Sequence, residues 1–182
     1  LLKALEPYYP LFVEEPVLPE NVDEMVRVSR STTIPIAAGE RLFTKFGFRE
    51  LIEKQAVSVV QPDLCHCGGI FEARKIAAMA ETYYMQIAPH NPLGPISLAA
   101  CMQLDACVPN LLAQEHPGMP DHADLGVGIL KTPFKIEDGY IRIPEGPGLG
   151  IEVDESKLDA LRFDGTWDTP HLEFEDGSIA DW

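Results

Sequence analysis

The chain repeats one pattern five times: a short apolar run that closes on a single acidic residue or histidine. The spacing of roughly 25 residues accommodates one strand, one helix and two short loops. The closing residues are Glu14, Glu40, Asp63, His90 and Glu115. Short connections of this kind join parallel strands with a right-handed crossover, which places each helix outside the sheet. The period therefore predicts an α/β fold whose parallel strands follow one another along the chain.

The apolar runs indicate where each element begins and ends. Nearly continuous apolar residues, typical of strands buried on both faces, predict strands at 11–13, 34–38, 57–61, 85–89 and 111–114. Apolar residues at helical spacing predict helices at 20–31, 46–55, 70–83 and 95–107. After residue 125 the pattern changes to a hairpin around Asp138 and Gly139, followed over 155–182 by a short helix and a polar tail.

Two arrangements of such a sheet are possible. In a TIM-type barrel all strands end at one face, so the five closing residues would meet there and form an active site. In a doubly wound sheet, functional residues would gather instead at the single point where the strand order reverses. The regular succession of closing residues favours the barrel. A complete barrel takes about 250 residues, so this chain is expected to form only part of one.

Composition excludes several classes of partner. The chain has 14 Lys and Arg against 29 Asp and Glu, a formal net charge of −15. Nucleic acids and anionic membrane surfaces both attract basic segments, so neither is expected as a partner. No apolar run approaches the length of about 18 residues that a spanning helix needs. The four cysteines lack the spacing of a zinc site and indicate reduced thiols, hence a cytoplasmic protein.

Glu14 and Glu40 close neighbouring strands of the predicted sheet. Paired carboxylates form a hard oxygen site that suits Mg²⁺, so both residues are candidate metal ligands. The alternative is a pair of rim carboxylates that form salt bridges with nearby Arg or Lys. Alternation along the strand turns Glu15 away from Glu14, where it would serve a structural ion pair.

Asp63 and His90 close the next two strands. A carboxylate beside an imidazole selects its tautomer and raises its basicity, so the pair is a candidate general base. The alternative is a structural histidine held by hydrogen bonds. Glu115, on the fifth strand, could hydrogen-bond an oxyanion or a substrate hydroxyl, or simply face water. His66 and His116 lie close enough in sequence to line a pocket.

These strand ends form a set of motifs: Glu14-Glu15-Pro16, Ala38-Gly39-Glu40, Gln61-Pro62-Asp63 with Gly68-Gly69, Ala88-Pro89-His90, and Gln114-Glu115. In this order and spacing the chain resembles the enolase superfamily, mandelate racemase branch, over nearly its whole length. The resemblance implies the C-terminal strands of a modified (β/α)7β barrel over residues 1–125. It implies a return segment and tail over 126–182, which would pack on a capping domain outside the chain.

The resemblance also implies an activity, since the likeness is strongest to the sugar-acid dehydratases of that branch. The expected reaction is Mg²⁺-dependent removal of the proton α to a carboxylate, with D-galactonate favoured, through an enediolate to a 2-keto-3-deoxy acid. Glu14 and Glu40 match the second and third of three metal carboxylates. His90, paired with Asp63, matches the base, and Glu115 matches a residue that hydrogen-bonds the enolate oxygen or the substrate.

The chain departs from the family at two positions. The family's first metal ligand, an Asp, and the acid His of its dehydratases have no counterpart here, so the isolated chain is expected to bind Mg²⁺ weakly and to be inactive. The alternatives are dehydration of gluconate or arabinonate, racemisation, and a non-catalytic barrel. The expected partners are a small-molecule sugar acid and, by resemblance, further copies of the chain in a homo-oligomer.

Overall fold

The computed structural model describes residues 1–163, 165 and 172–180 and contains a parallel sheet covered by helices. Its strands are β1 (Val13–Glu14), β2 (Ile36–Ala38), β3 (Val59–Val60) and β4 (Gln86–Ile87). They lie side by side in chain order, and each pairs in parallel with the next. Leu111 forms a further parallel bridge with Ile87, so the fifth apolar run continues the sheet.

This strand order confirms the predicted barrel-type α/β class. A doubly wound sheet needs a reversal of strand order, which the described sheet does not have, so that alternative is excluded. The strands that pair by hydrogen bonds are shorter than the apolar runs that predicted them. The runs extend further because residues beside each strand are also buried between the two layers and are therefore apolar. The hydrogen bonds nevertheless continue past the strand ends: the Gln61 N–H donates to the Ala38 carbonyl at 3.0 Å, and the Ala88 N–H to the Val60 carbonyl at 3.1 Å.

The helices fall close to the predicted spans. A single-turn helix, α1 (Leu2–Leu5), is followed by α2 (Val22–Ser29), α3 (Thr44–Glu53), α4 (Ile70–Glu81) and α5 (Pro95–Asp105), with a 3-10 turn at Glu6–Tyr8 and another at Ala123–Leu125. The start of α2 is fixed by Asn21, whose side-chain oxygen accepts from the Glu24 N–H at 3.0 Å. No described helix is both long and apolar enough to cross a membrane.

The sheet is buried on both faces, as the continuous apolar runs predict. One face packs against the helices, where the core includes Phe48, Ile52 and Ile76. The other face carries the small side chains of Ala37, Val59 and Ala88, together with the partly buried Phe12 and Leu112. Because successive strand residues point to opposite faces, a run that serves both layers must be apolar throughout.

The predicted hairpin is present as β5 (Ile136–Glu137) and β6 (Tyr140–Ile141), which pair antiparallel. Asp138 and Gly139 have φ of 52° and 81°, and positive φ at both central residues is what a two-residue type I′ turn needs. The Asp138-Gly139 pair between two short segments with alternating apolar residues is therefore the feature that predicts this hairpin from the sequence.

The segment around the hairpin packs against α5. Phe134 and Ile141 cover a small core of Leu98, Met102 and Leu125. The Gln103 side-chain amide also donates to the Pro144 carbonyl at 3.2 Å and to the Leu149 carbonyl at 3.3 Å. That residues 126–182 also pack on a capping domain stays a prediction.

The tail begins with α6 (Glu155–Leu158) and a 3-10 turn at Asp159–Leu161, in agreement with the short helix predicted there. Positions 164, 166–171 and 181–182 of the predicted polar tail lie outside the described residues.

Asp105, the last residue of α5, destabilises the folded protein when its carboxyl is ionised. Burial raises the pKa of its carboxyl to about 7, and its Oδ1 atom is buried without a hydrogen-bond partner among the described residues. The carboxylate also lies at the negative end of the helix dipole, which opposes ionisation further. At a pH between these two values, the folded chain therefore keeps a proton on Asp105 that the unfolded chain, with a carboxyl pKa near 3.8, has released.

We expect Asp105→Asn to stabilise the protein at high pH. The stability that protonated Asp105 contributes is complete below the unfolded pKa and is lost as pH rises through the folded value. At pH 8 the variant should be more stable by about 1–3 kcal/mol, because Asn keeps the polar oxygen but removes the buried negative charge, and each unit of pKa shift corresponds to about 1.4 kcal/mol. Near pH 4 the two proteins should unfold alike. Urea unfolding at both pH values tests this, with the exposed turn residue in Asp138→Asn as control; equal effects of Asp105→Asn at both pH values would contradict it.

Candidate active site

The five closing residues follow parallel strands, so they share one edge of the sheet. Glu14 is the last residue of β1, Glu40 follows β2, Asp63 follows β3, His90 follows β4, and Glu115 follows the bridged run at Leu111. The carboxyl ends of parallel strands meet at one edge in this fold class. Contacts between neighbouring strand ends therefore form the candidate site.

His90 lies between two carboxylates. Its Nδ1 atom is 3.0 Å from Asp63 Oδ2, and its Nε2 atom is 3.1 Å from Glu40 Oε2. The side chains of His90 and Glu40 are 13% and 17% exposed, whereas that of Asp63 is 0% exposed. The structure thus brings three of the five predicted residues into direct contact, in a site screened from most of the solvent.

The Asp63 carboxylate is held by the backbone of its own loop. Its Oδ1 atom accepts from the Cys65 N–H at 2.7 Å and from the His66 N–H at 3.2 Å. Burial alone would raise the pKa of Asp63, but the hydrogen bonds from His90 and the Cys65 N–H, and the nearby His66, hold it below its usual value. Asp63 is therefore ionised, and its orientation is fixed before any ligand binds.

The environment of His90 favours its charged form. Burial lowers the pKa of His90, but the hydrogen bond that its ring donates to Asp63 and the negative charges of Glu40 and Glu115 outweigh that effect, so the net shift is upward. Since ionised Asp63 accepts a hydrogen bond, the Nδ1 atom carries the proton in the neutral tautomer. The Nε2 atom, which faces Glu40, is then the basic atom of the ring.

Glu40 lies in a concentration of negative charge. Burial raises the pKa of its carboxyl, His90 opposes that shift, and the charges of Glu15 and Glu14 with a side-chain hydrogen bond to Glu14 raise it further. A carboxylate whose pKa is raised by neighbouring carboxylates, as that of Glu40 is, is a group that a divalent cation would stabilise in its ionised form. The oxygen donors of Glu14 and Glu40 therefore fit part of a Mg²⁺ site.

The donor set on this chain is partial. Among the described residues, no group of three or more His, Cys, Asp or Glu side chains is arranged to hold a metal ion. Two carboxylates are nevertheless a usual protein contribution to Mg²⁺, which retains several waters or substrate oxygens. Glu14 and Glu40 would supply those two.

Glu15 lies nearer to the site than strand alternation predicts. Its Oε1 atom accepts from the Gly39 N–H at 3.4 Å, and its pKa is raised by burial and by Glu14 against the opposing effects of Gly39, Arg41 and His90. Glu15 has φ of 36°, which is outside the strand region and breaks the alternation. The sequence carried no signal for that local change of conformation.

Glu115 contacts the residue that follows His90. The Asn91 N–H donates to Glu115 Oε2 at 2.8 Å, and the Asn91 side-chain amide lies 3.4 Å from the Glu115 carbonyl. Asn91 is fully buried. Sequence reasoning did not identify Asn91; its position beside His90 in a Pro-His-Asn-Pro turn was the available signal. The last two strand ends are thus tied together through backbone and side chain.

The other two candidate pocket histidines have carboxylate neighbours. His66 Nδ1 lies 3.7 Å from Asp63 Oδ2, so this ring is at the edge of the site. His116 Nδ1 lies 2.8 Å from the buried Asp124 Oδ2, which also accepts from the Gly118 N–H at 3.0 Å. The His116–Asp124 contact therefore joins the two ends of the loop that follows Glu115.

Gly39 sets the position of Glu40. Its φ is +144°, and a Cβ atom added there would lie 2.8 Å from the Phe48 ring and 3.0 Å from the backbone of Gln61. Only glycine accommodates that conformation and that close approach of the β3 end. The turn carries the chain out of β2 directly into the Glu40 side chain.

We expect Gly39→Ala to destabilise the protein by more than about 1 kcal/mol, because the added methyl group meets backbone atoms at a positive φ. Gly128→Ala is the matched control: its φ is also positive, at +82°, but no atom lies within 4 Å of the added Cβ. The difference in thermal stability between the two variants measures the free energy lost through the close contact, beyond the strain of a positive φ that both variants share. Equal destabilisation of the two variants would contradict the close-packing argument.

A sheet of parallel strands in chain order, with helices outside and the Asp63–His90 pair at the carboxyl edge, defines part of a (β/α) barrel. Residues 1–157 match the model of the Enolase C-terminal domain-like family, and the chain belongs to that family. The resemblance to the mandelate racemase branch of the enolase superfamily is confirmed by the relatives of the chain.

The chain is similar to the D-galactonate dehydratase of Variovorax paradoxus (strain S110), with 47% identity over 188 residues that cover 100% of this chain and 49% of the relative. The chain spans about half the length of the curated relatives it matches.

Solved structures show the same fold. A mandelate racemase/muconate lactonizing enzyme from Sulfitobacter superposes with a TM-score of 0.85 at 43% identity, over 99% of this chain and 44% of that chain. A mandelate racemase/muconate lactonizing enzyme-like protein from Roseovarius gives a TM-score of 0.84 at 45% identity, over 98% of this chain and 44% of that chain.

Proposed function

We propose that the chain is the proton-abstracting part of a Mg²⁺-dependent sugar-acid dehydratase that converts D-galactonate to a 2-keto-3-deoxy acid. The observation that carries the proposal is the contact series from Asp63 through His90 to Glu40, with distances of 3.0 and 3.1 Å. Similarity to proteins named D-galactonate dehydratase supports this substrate. The activity belongs to a complete enzyme of the relatives' length, of which these residues would form one part.

His90 is the proposed base. A proton α to a carboxylate is very weakly acidic, so its removal needs a base held in place and a charge opposite the imidazolium that forms. The buried, ionised Asp63 provides that charge at Nδ1, as the Nε2 atom takes the proton from C2 of the substrate. The electron pair of the C2–H bond moves toward the substrate carboxylate and generates an enediolate.

Glu14 and Glu40 are the proposed metal ligands of this chain. A bound Mg²⁺ would stabilise the negative charge that develops on the substrate carboxylate oxygens. Glu40 also faces His90 Nε2, so the proposed ligand and the proposed base border the same space. A substrate carboxylate bound there would present its α-proton to His90 Nε2.

The reaction ends with loss of the hydroxyl group at C3. The C3–O bond breaks as the enediolate electrons form a C2–C3 double bond, and the departing hydroxide takes a proton to leave as water. We propose that the acid lies in the part of the enzyme that this chain does not span. The enol that remains tautomerises to the 2-keto-3-deoxy acid.

Glu115 is the proposed substrate contact on the fifth strand. The Asn91 N–H donates to one of its carboxyl oxygens at 2.8 Å, which restricts the orientation of the group. As a carboxylate it can accept a hydrogen bond from a substrate hydroxyl, and as an acid it can donate to the enolate oxygen.

Cytoplasmic location and homo-oligomeric assembly of the enzyme stay predictions.

In the complete enzyme, we expect His90→Asn to abolish exchange of the C2 proton of D-galactonate with solvent deuterium, while the fold and Mg²⁺ binding remain. The amide has a similar shape but cannot accept the proton, so turnover should fall by at least about 10²-fold. NMR of the substrate in D₂O and an assay of the 2-keto-3-deoxy product, over D-galactonate, gluconate and arabinonate, test base and substrate together.

His122→Asn is the matched control, because His122 is exposed and has φ of 55°, a conformation that Asn readily adopts. It should leave exchange unchanged. Undiminished exchange in His90→Asn would remove His90 from the base role. Product from gluconate or arabinonate alone would retain the mechanism and change the substrate, whereas racemised substrate without keto product would replace dehydration.

We expect Glu40→Gln and Glu14→Gln to weaken Mg²⁺ binding by the complete enzyme, since each removes one anionic oxygen donor. The Mg²⁺ concentration for half-maximal activity should rise at least about tenfold, the effect of losing about 1.4 kcal/mol of binding free energy. Calorimetric titration with Mg²⁺ alone gives a reading that is independent of turnover.

Glu81→Gln, at the exposed end of α4, is the control and should leave the titration unchanged. Wild-type Mg²⁺ affinity in both site variants would show that these carboxylates belong to rim ion pairs instead.

A further inference from the structure

Two exposed rings at the carboxyl edge take no part in the chemistry proposed above. Phe43 is in the loop after β2, and His66 is in the loop after β3; their ring centroids are 6.3 Å apart with an interplanar angle of 38°. Phe43 is 61% exposed and the His66 side chain 51% exposed. An apolar surface beside a polar hydrogen-bonding group, next to the base, is the composition of a ligand site.

The two loops are fastened to each other, so the ring pair has a defined position. The Thr44 N–H donates to the Cys67 carbonyl at 3.1 Å. The next N–H, that of Lys45, donates to Glu72 Oε1 at 3.0 Å, and the Lys45 ammonium reaches the same oxygen at 3.1 Å. These bonds connect the start of α3 to the β3–α4 loop and to α4.

The backbone is strained directly after Phe43. Thr44 has φ of +54°, a left-handed conformation that is a true outlier for a β-branched residue. Such strain persists only where the surrounding structure imposes it, and it concentrates at functional sites. Here the strained residue, Thr44, also donates the N–H hydrogen bond to the Cys67 carbonyl, so its conformation helps to hold the preceding Phe43 in place.

His66 is oriented by the carboxylate that orients the base. Its N–H donates to Asp63 Oδ1 at 3.2 Å, and its Nδ1 atom lies 3.7 Å from Asp63 Oδ2, the atom that bonds His90. The Nε2 atom of the half-exposed ring is therefore the nitrogen left for a ligand. Because the rings of His66 and His90 lie beside the same Asp63 oxygen, His66 is next to the proposed base, and Phe43 is next to His66.

We propose that Phe43 and His66 form a subsite for the hydroxylated carbon chain of the substrate beyond the reacting C2 and C3 atoms. His66 Nε2 hydrogen-bonds a distal hydroxyl, and the Phe43 ring packs on the C–H groups between the hydroxyls. The pair matches a polyol chain, which presents apolar C–H and polar O–H groups in alternation. This inference rests on the proposed function, because it assigns part of that substrate to these residues.

The test compares a long and a short substrate on the complete enzyme carrying Phe43→Leu or His66→Gln. D-galactonate has six carbons; the four-carbon aldonate with the same configuration at C2 and C3 keeps the reacting atoms and lacks the distal chain. We expect KM for D-galactonate to rise roughly tenfold in His66→Gln, the upper range for one displaced neutral hydrogen bond, and to rise less in Phe43→Leu, which loses ring contact only, with a smaller change in kcat in both. Turnover or competitive inhibition by the four-carbon acid should change much less.

Phe71→Leu is the matched control: Phe71 is 73% exposed, and its ring lies 4.0 Å from the Lys75 ammonium of the same helix. It should alter neither substrate. Equal losses on both acids in the Phe43 and His66 variants would indicate a structural role and overturn the subsite. Wild-type constants for both acids would do the same and would indicate that another part of the protein covers the rings.

Failure of the proposed function has a different signature. If the wild-type enzyme turns over no aldonate, the dehydratase proposal fails, and calorimetric binding constants of the two acids decide the subsite by the same comparison. Preferential loss of six-carbon binding in the variants would then support it, and equal binding of the two acids by the wild type would overturn it.

Discussion

A buried carboxylate is destabilising unless hydrogen bonds and an opposite charge compensate it, and Asp63 meets that condition at the end of β3. Two N–H groups of its own loop bind one oxygen, and the His90 imidazole, from the next strand, binds the other. The contact that makes the buried charge tolerable is also the one that orients the proposed base. Strand order and local chemistry therefore depend on each other here, because a shift of β4 against β3 would leave Asp63 uncompensated.

The rest of the site is arranged around this contact by short connections between parallel strands. Glu40 reaches His90 because Gly39 turns the chain with no Cβ atom, against the Gln61 backbone. Glu115 reaches the same neighbourhood through the buried Asn91. Burial and the negative charges of Glu15 and Glu14 raise the pKa of Glu40, and a divalent cation would relieve this effect. Each neighbour of the base is thus placed by a backbone feature of the adjacent loop.

Much of this was accessible from periodicity. Strand and helix positions followed from apolar runs, and the hairpin from Asp138-Gly139, because burial and turn conformation restrict residue type locally. Adjacency of Asp63 and His90 followed from chain-order strands. The position of Glu15 did not, because a φ of 36° ends the alternation at a residue whose identity does not demand it. Asn91 and Phe43 were also missed, since a buried amide contact and a ring pair depend on distances between different loops.

The sequence by itself determined the α/β class, the order of the strands and the five closing residues, because these depend on hydrophobic period and chain length between elements. It also determined the family, through motifs repeated at those positions. Only the tertiary structure decided which ring nitrogen of His90 faces Asp63 and which faces Glu40, and which loops bring Phe43 to His66. Those relations arise from how the strand ends pack together, and no residue type or spacing specifies such distances in advance.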